Sequence, residues 1–441
     1  MRPRILRLRR FGNRAALEAA HTADPELTHR TVVEQQAALD AAHGPFSVPL
    51  VRELAELGWD TSELILGVPS IRDAWEREHG PIPPVAGIED PDVLLALAEA
   101  RRFRPDVVLD SNLNVLDRVG ARVMRDVVGP RAVLAGYLGT EKRFHRALAL
   151  DLSLVACGSM AEALRPFANG PVEVLPHAFD PAVVATLPDR RVAHPLVFAG
   201  ALGPRYVERH RVLMALLEQT ELEAWVGLRK GVRQTDDGWL VTDGARPTPR
   251  RTLRSRATDL APTAALAKLA GRSSRAGEVF NARIARLTGG LVGPEAPLRD
   301  PRAVHPERCH APVSGRDYLM LLRSAGTVLH RGIDALGGCG GALRLFEATG
   351  VGAALLVEDS AAVRELFRAG DEVITYRDPA DAVAKATWLS ERPEVRERIA
   401  VAGHRRTLAD HTPAARARTL DPLLRDALAR RRARRTPPGG R

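Results

Sequence analysis

The chain has 441 residues, of which 45% are hydrophobic and 27% are charged, a composition typical of a globular protein long enough for two domains. Its net charge of +10 suits phosphate-bearing partners, but aromatic residues make up only 4%, which argues against nucleic-acid binding. No apolar run reaches the roughly 18 residues of a transmembrane helix, so membrane contact would be peripheral at most. The three cysteines show no metal-binding spacing and fit a cytoplasmic protein.

The first 185 residues predict an α/β domain in which strands and helices alternate. One predicted strand, Val107–Leu109, is followed directly by Asp110. Ligands of open parallel sheets bind at the carboxyl ends of the strands, so Asp110 is a candidate catalytic base. The alternative is an aspartate that only caps a turn.

A second α/β domain is predicted at residues 186–420, after the turn-rich stretch Pro176–Pro181. It contains an insertion at residues 229–313, where an arginine-dense run and proline-rich joints interrupt the alternation of strands and helices. Residues 421–441 are basic and end in proline and glycine, so we expect a frayed tail.

A glycine turn and a group of arginines lie near the start of this second domain. Gly200 follows a predicted strand, and Arg205, Arg209 and Arg211 come soon after it. This arrangement predicts a cradle for a diphosphate. A solvated basic helix face is the alternative.

The stretch from Val328 to Asp359 predicts a strand, a glycine-rich loop, a helix and a second strand, which together form one βαβ unit. A glycine-rich loop before a helix N-terminus lets backbone N–H groups approach a phosphate. On the helix, Glu347 lies near the packed side, where a carboxylate needs a partner. That partner is either Arg344, three residues earlier, or a neutral group of a ligand such as the hydroxyls of a ribose.

Several stretches resemble the GT-B glycosyltransferases, and within them the CgeB-like, spore-maturation-type group. The strongest are VLHRGIDALGGCGGALRLFEATGVGAALLVED and RELFRAGDEVITYRDPADAV, with support from FRPDVVLDSN and HPLVFAGAL. The resemblance touches both domains and leaves only the insertion uncovered. It implies an α/β fold of two Rossmann-like parallel-sheet domains that face each other across a cleft, with the donor nucleotide held by the second domain.

The resemblance also assigns a role to Glu347, because a glutamate of the LFEA-type helix contacts the donor ribose in related enzymes. Many relatives carry an acidic residue eight positions earlier, where this chain has Cys339, and close relatives usually have asparagine at the position of His330. GT-B enzymes generally need no bound metal, and no cofactor beyond the donor substrate is expected. The predicted donor-binding residues are Gly200, Arg205, Arg211, His330, Arg331, Arg344 and Glu347.

The function implied is that of a metal-independent hexosyltransferase, which moves a sugar from a nucleotide-sugar to a glycan, a protein or a small molecule. An NAD-type oxidoreductase is one alternative, because Gly338-Cys339-Gly340 begins a GxGxxG-like pattern with Glu358 about 20 residues further on. Leu343 replaces the third glycine of that pattern. A non-catalytic binding protein with a degenerate GT-B fold is the other alternative, since His330 and Cys339 depart from the family.

Overall fold

The computed structural model divides the chain into two compact units. Among the described residues, the first unit contains those up to Pro176 and from Pro413 onward, and the second contains those from His177 to Thr412. The structure describes residues 2–43, 49–111, 113–139, 146–203, 206–229, 232–242, 298–332 and 343–433.

A six-stranded sheet forms the centre of the first unit. Its strands are β1 (Arg4–Arg10), β2 (Asp60–Leu66), β3 (Val107–Asp110), β4 (Val133–Leu138), β5 (Leu152–Val155) and β6 (Val172–Val174). Their order is β2-β1-β3-β4-β5-β6, and every pairing is parallel; Ile5, for example, pairs with Thr61 and with Val107. Parallel strands need crossover connections, and helices supply them here.

The helices of the first unit begin at positions that favour helix starts. Before the fifth helix, Asp90 accepts a hydrogen bond from the Asp92 backbone N–H and Pro91 takes the first helical position, as expected at an N-terminus. These helices are α1 (Arg14–Ala23), α2 (Val32–His43), α3 (Leu50–Glu56), α4 (Pro69–His79), α5 (Pro91–Phe103), α6 (Arg118–Val128) and α7 (Gly158–Leu164).

The second unit contains a second six-stranded parallel sheet and a small antiparallel one. Its strands are β7 (His194–Leu202), β8 (Leu222–Leu228), β9 (Val232–Gln234), β10 (Trp239–Thr242), β11 (Leu298–Arg299), β12 (Cys309–His310), β13 (Ala325–His330), β14 (Ala354–Glu358) and β15 (Ile374–Tyr376). The large sheet has the order β12-β8-β7-β13-β14-β15, and the small one has the order β11-β10-β9. Two parallel sheets with crossover helices confirm the predicted fold class of two Rossmann-like domains.

Apolar side chains from both faces of the second sheet form its core. Val328 and Leu355 lie on one face with Phe346, while Leu329 and Leu356 lie on the other. This near-continuous burial is typical of parallel strands covered on both sides. The helices are α8 (Val207–Gln219), α9 (Pro301–Val304), α10 (Gly315–Arg323), α11 (Leu343–Gly350), α12 (Ala361–Leu366), α13 (Pro379–Ser390), α14 (Pro393–Asp410) and α15 (Pro413–Ala433).

The last helix, α15, belongs to the first unit, and this corrects the predicted domain limits. Residues through 420 were assigned to the second domain, and 421–441 were assigned to a frayed tail. Instead, Leu420, Leu424 and Leu428 recur at every fourth position and pack with Leu50 and Leu54 of α3. Their spacing gives the helix one apolar stripe, and burying that stripe keeps the helix ordered through Ala433.

The chain first passes from the first unit to the second between Pro176 and His177, nine residues before the predicted boundary of 185/186. Phe179 explains the difference, because its ring is buried in the core of the second unit. Its backbone N–H also donates to the carbonyl of His411, 2.8 Å away. None of the helices in the described part of the chain is both long and apolar enough to span a membrane.

Candidate functional site

The carboxyl ends of β7 and β13 lie side by side in the middle of the second sheet. The helices that follow or precede such strands run antiparallel to them, so the first turns of α10 and α11 lie towards the same edge. Tyr318 is in the first turn of α10 and Arg344 is in the first turn of α11. Ligands of open α/β sheets bind at this edge.

Glu347 is the most deeply buried acidic group of this region, with 2% of its surface exposed. One carboxylate oxygen, Oε2, accepts a hydrogen bond from the hydroxyl of Tyr318 at 2.9 Å. The other oxygen, Oε1, is buried and has no hydrogen-bond partner among the residues that the structure describes. Burial raises the pKa of Glu347, while the charge of Arg344 and the bond from Tyr318 act in the opposite direction.

Arg344 reaches Glu347 through Tyr318. Its Nε donates to the Tyr318 hydroxyl at 2.9 Å, and the same hydroxyl donates to Glu347. Burial raises the pKa of Tyr318, so the hydroxyl keeps the proton that it donates. The sequence suggested a direct contact between the arginine and the glutamate as one alternative, but a tyrosine from another helix joins them.

Gly200 leaves the space that the Arg344 guanidinium occupies. A Cβ atom at Gly200 would lie 2.8 Å from Nη1 of Arg344 and 2.9 Å from Cζ of Phe198, both closer than side chains tolerate. The structure therefore brings Gly200, Arg344 and Glu347 close together, and their role in donor binding stays a prediction. Tyr318, which completes the group, was not predicted.

His330 is the last residue of β13, and only 5% of its surface is exposed. Its buried Nδ1 atom has no hydrogen-bond partner in the described part of the chain, while its backbone carbonyl accepts from the Tyr376 hydroxyl at 3.3 Å. Burial lowers the pKa of His330 well below its ordinary value, and the charges of Arg344, Arg209 and Arg331 lower it further. The imidazole is therefore neutral in this environment.

Arg209 links the carboxyl ends of the two central strands, β7 and β13, through hydrogen bonds. Its Nε donates to the carbonyl of Arg331 and its Nη1 to the carbonyl of Ala201, each at 2.9 Å. Its guanidinium also stacks over the Tyr206 ring, 3.9 Å from the centroid. Next to it, Arg331 forms an ion pair of 3.0 Å with Glu358 at the end of β14.

The predicted arginine cluster does not form as a unit. Arg211 lies on the exposed side of α8, where it pairs with Glu208, and is not brought to the other site residues. Positions two apart on a helix point in nearly opposite directions, so Arg209 and Arg211 could not share one face. Arg205 and Cys339 lie outside the described residues, as does the glycine-rich loop.

Asp110, the predicted catalytic base of the first unit, is 1% exposed at the end of β3. Its Oδ2 accepts hydrogen bonds from the backbone N–H groups of Val115 and Leu116, at 2.8 and 2.9 Å. The carboxylate therefore holds the loop that follows the strand. Its role as a base stays a prediction.

Comparisons with known proteins address both units. Residues 275–421 match a family model described as glycosyl transferase-like, which covers about a third of the chain. No curated protein matches the sequence. A glycosyltransferase from Rickettsia africae is similar in structure, with a TM-score of 0.51 and 9% identity over 97% of this chain and 99% of that one. The fold is that of the GT-B glycosyltransferases.

A second similar structure is HepE from Anabaena, crystallised with UDP and glucose. Its TM-score is 0.50 at 11% identity, covering 96% of this chain and all of that one. The same protein in complex with UDP-glucose gives a TM-score of 0.50 at 12% identity.

In the part of the chain that the structure describes, no group of three His, Cys, Asp or Glu side chains could hold a metal ion.

Proposed function

We propose that this protein is a glycosyltransferase that moves a sugar from a nucleoside diphosphate sugar to an acceptor. The observation that carries the proposal is the buried Glu347 carboxylate, one oxygen of which has no hydrogen bond from any described residue. A buried acceptor without a partner costs roughly 1–3 kcal/mol, so proteins rarely keep one without a use. Ribose hydroxyls are neutral donors that would satisfy this oxygen.

The basic groups near Glu347 support a diphosphate as the neighbouring part of the ligand. Arg344 uses Nε for Tyr318, and a guanidinium has five N–H donors, so others remain for an anion. Gly200 keeps the strand close to this guanidinium. The two negative charges of a nucleotide-sugar would then lie beside Arg344, and Glu347 would face the ribose and not the phosphates.

The transfer itself needs charge stabilisation more than covalent chemistry from the protein. The acceptor hydroxyl oxygen bonds to the anomeric carbon, the bond from that carbon to the diphosphate breaks, and the hydroxyl proton passes to a base. Arg344 would stabilise the negative charge on the departing nucleoside diphosphate. We propose no metal or cofactor for this step, and Asp110 remains the predicted base.

The proposal includes three finer assignments. The CgeB-like group and the hexosyl donor follow from the sequence resemblance, and a cytoplasmic location follows from the cysteine content. HepE was crystallised with UDP-glucose, which favours a uridine nucleotide among the donors to test. We propose a glycan, a protein or a small molecule as the acceptor.

Thermal-shift measurements with UDP-glucose, UDP-N-acetylglucosamine, GDP-mannose, ADP-glucose and NAD test the proposal. A ligand that binds only the folded state raises the melting temperature. At a ligand concentration of a hundred times Kd, it adds about 2.7 kcal/mol to the free energy of unfolding. We expect a shift with at least one nucleotide-sugar, and slow release of its nucleoside diphosphate when water serves as acceptor. A shift with NAD alone would support the oxidoreductase alternative, and binding without turnover on any acceptor would support the non-catalytic one.

A further inference from the structure

His330 has properties that its place in a donor site does not by itself explain. It ends the central strand β13 and is almost fully buried, and within the described ranges its Nδ1 has no hydrogen bond. An imidazole nitrogen in this situation forgoes a bond that water would otherwise supply. A bound ligand group would supply this bond.

Positive charges surround this imidazole from three elements. The charges of Arg344 on α11, Arg209 on α8 and Arg331, the residue directly after β13, all act on the ring. The carboxylate of Glu358 on β14 pairs with Arg331. From β15, the neutral Tyr376 hydroxyl contacts the main-chain carbonyl of His330. The balance of these charges opposes a proton on the ring as long as no anion is present.

We propose that His330 takes up one proton from solvent when the diphosphate of a nucleotide-sugar binds, so that donor binding is coupled to protonation of this histidine. The inference rests on the proposed function. Two negative phosphate charges offset the field of the three arginines, which removes the charge repulsion that opposes an imidazolium, and an anionic hydrogen-bond partner at Nδ1 offsets part of the cost of its burial. The imidazolium is a donor at both nitrogens, so Nδ1 can then bond to an anionic oxygen.

The direction of the pH effect follows from proton linkage. The complex holds one proton more than the free protein in the range between the two pKa values of His330. Donor affinity is therefore highest at low pH. Within that range it falls by up to about tenfold for each unit by which the pH rises. Above it, neither state is protonated and the affinity becomes constant.

Calorimetric titration with the nucleotide-sugar that gives the largest thermal shift measures the proton directly. Titrations at about pH 6.5 in two buffers of different ionisation enthalpy give the number of protons taken up per ligand. A nucleotide-sugar is the right probe because its diphosphate is a diester, whereas a free UDP has a terminal phosphate that itself titrates near pH 6. We expect an uptake approaching one proton for the wild-type protein.

The variants separate His330 from other titrating groups. His330→Asn keeps a polar group close to the position of Nδ1 but cannot titrate, so it should bind the probe with no proton uptake; His330→Gln serves if that variant fails to fold. His194→Gln is the matched control, because His194 starts β7 at the opposite edge of the same sheet. It should retain the wild-type uptake.

Three outcomes would contradict the account. Probe binding to the wild-type protein without proton uptake, or equal uptake by His330→Asn, overturns the coupling and leaves the proposed function intact. Failure of every nucleotide-sugar to bind the wild-type protein overturns the proposed function itself.

Discussion

Asp110 and Glu347 are both buried carboxylates, one in each unit, with 1% and 2% of their surfaces exposed. Their surroundings differ. Asp110 accepts two backbone hydrogen bonds on one oxygen and so holds the loop from the end of β3. Glu347 accepts one bond from Tyr318, and its other buried oxygen has no partner among the described side chains and backbone groups.

Asp110 therefore has a structural role beside its predicted role as a base, whereas Glu347 keeps one acceptor oxygen available to a ligand. Loop N–H groups exist in the folded chain at all times, so Asp110 contributes to stability without any ligand. Glu347 has acceptor capacity that the described chain does not use, although burial disfavours its charge. Mutations at the two positions should therefore affect different measurements.

The largest expected effect on stability comes from Asp110→Ala. This change removes two hydrogen bonds to a charged acceptor, each of which contributes roughly 1.5–3 kcal/mol, and leaves two buried amides unbonded. We expect the free energy of unfolding to fall by about 3 kcal/mol. Hydrogen exchange should show lost protection at the amides of Val115 and Leu116, and unchanged protection at both would contradict the comparison.

A smaller loss is expected for Tyr318→Phe, which keeps the ring and removes the hydroxyl between Arg344 and Glu347. Glu347 would lose the one bond that its carboxylate accepts, at a cost of about 2 kcal/mol in unfolding free energy. Donor affinity should also weaken several-fold, because both site residues lose their anchor. Tyr206→Phe, which keeps the ring that stacks on Arg209, is the control and should change neither quantity by a comparable amount.

The third and smaller expected effect is a loss of unfolding free energy at acidic pH. Burial is the main cause that lowers the pKa of His330, so the unfolded chain binds more protons than the folded one below about pH 6.5, the ordinary histidine pKa. Stability should therefore fall as the pH drops below that value, by at most about 1.4 kcal/mol per pH unit. Urea unfolding at about pH 7.5 and 5.5 should show a smaller fall for His330→Asn, and an equal fall would contradict this assignment.

The smallest expected effect is that of Arg211→Gln. Its exposed side chain pairs with Glu208 on the same helix, and surface pairs contribute little. Donor affinity, measured by calorimetry, should stay within about twofold of the wild type. Arg344→Gln is the matched comparison and should weaken donor binding clearly more. Equal losses in the two variants would mean that Arg211 belongs to the site.

The fold was largely predictable from the sequence because parallel strands and their helices leave regular local patterns. Buried strands appear as short apolar runs, and starts such as Asp378-Pro379 mark helices, here with the Asp378 carboxylate accepting from the Asp381 N–H. The return of α15 to the first unit was not predictable, since the leucine stripe indicates burial but not its partner.

The site was predictable only in part, for a related reason. Gly200, Arg344 and Glu347 belong to motifs that are local in sequence, and the structure brings them together. Tyr318 lies 26 residues before Arg344, and no local signal distinguishes it from a core tyrosine. The opposite directions of Arg209 and Arg211 follow from helix geometry alone and could have been predicted.

The most direct test of the account is one purified variant, Glu347→Gln, on which donor Kd and melting temperature are both measured. The change keeps size and one acceptor oxygen but removes the charge that favours ribose hydroxyls. We expect Kd for the best-binding nucleotide-sugar to rise about tenfold or more, equivalent to about 1.4 kcal/mol, with little change in melting temperature. A lower melting temperature with unchanged Kd would show that Glu347 only holds its helix, and would contradict the central claim.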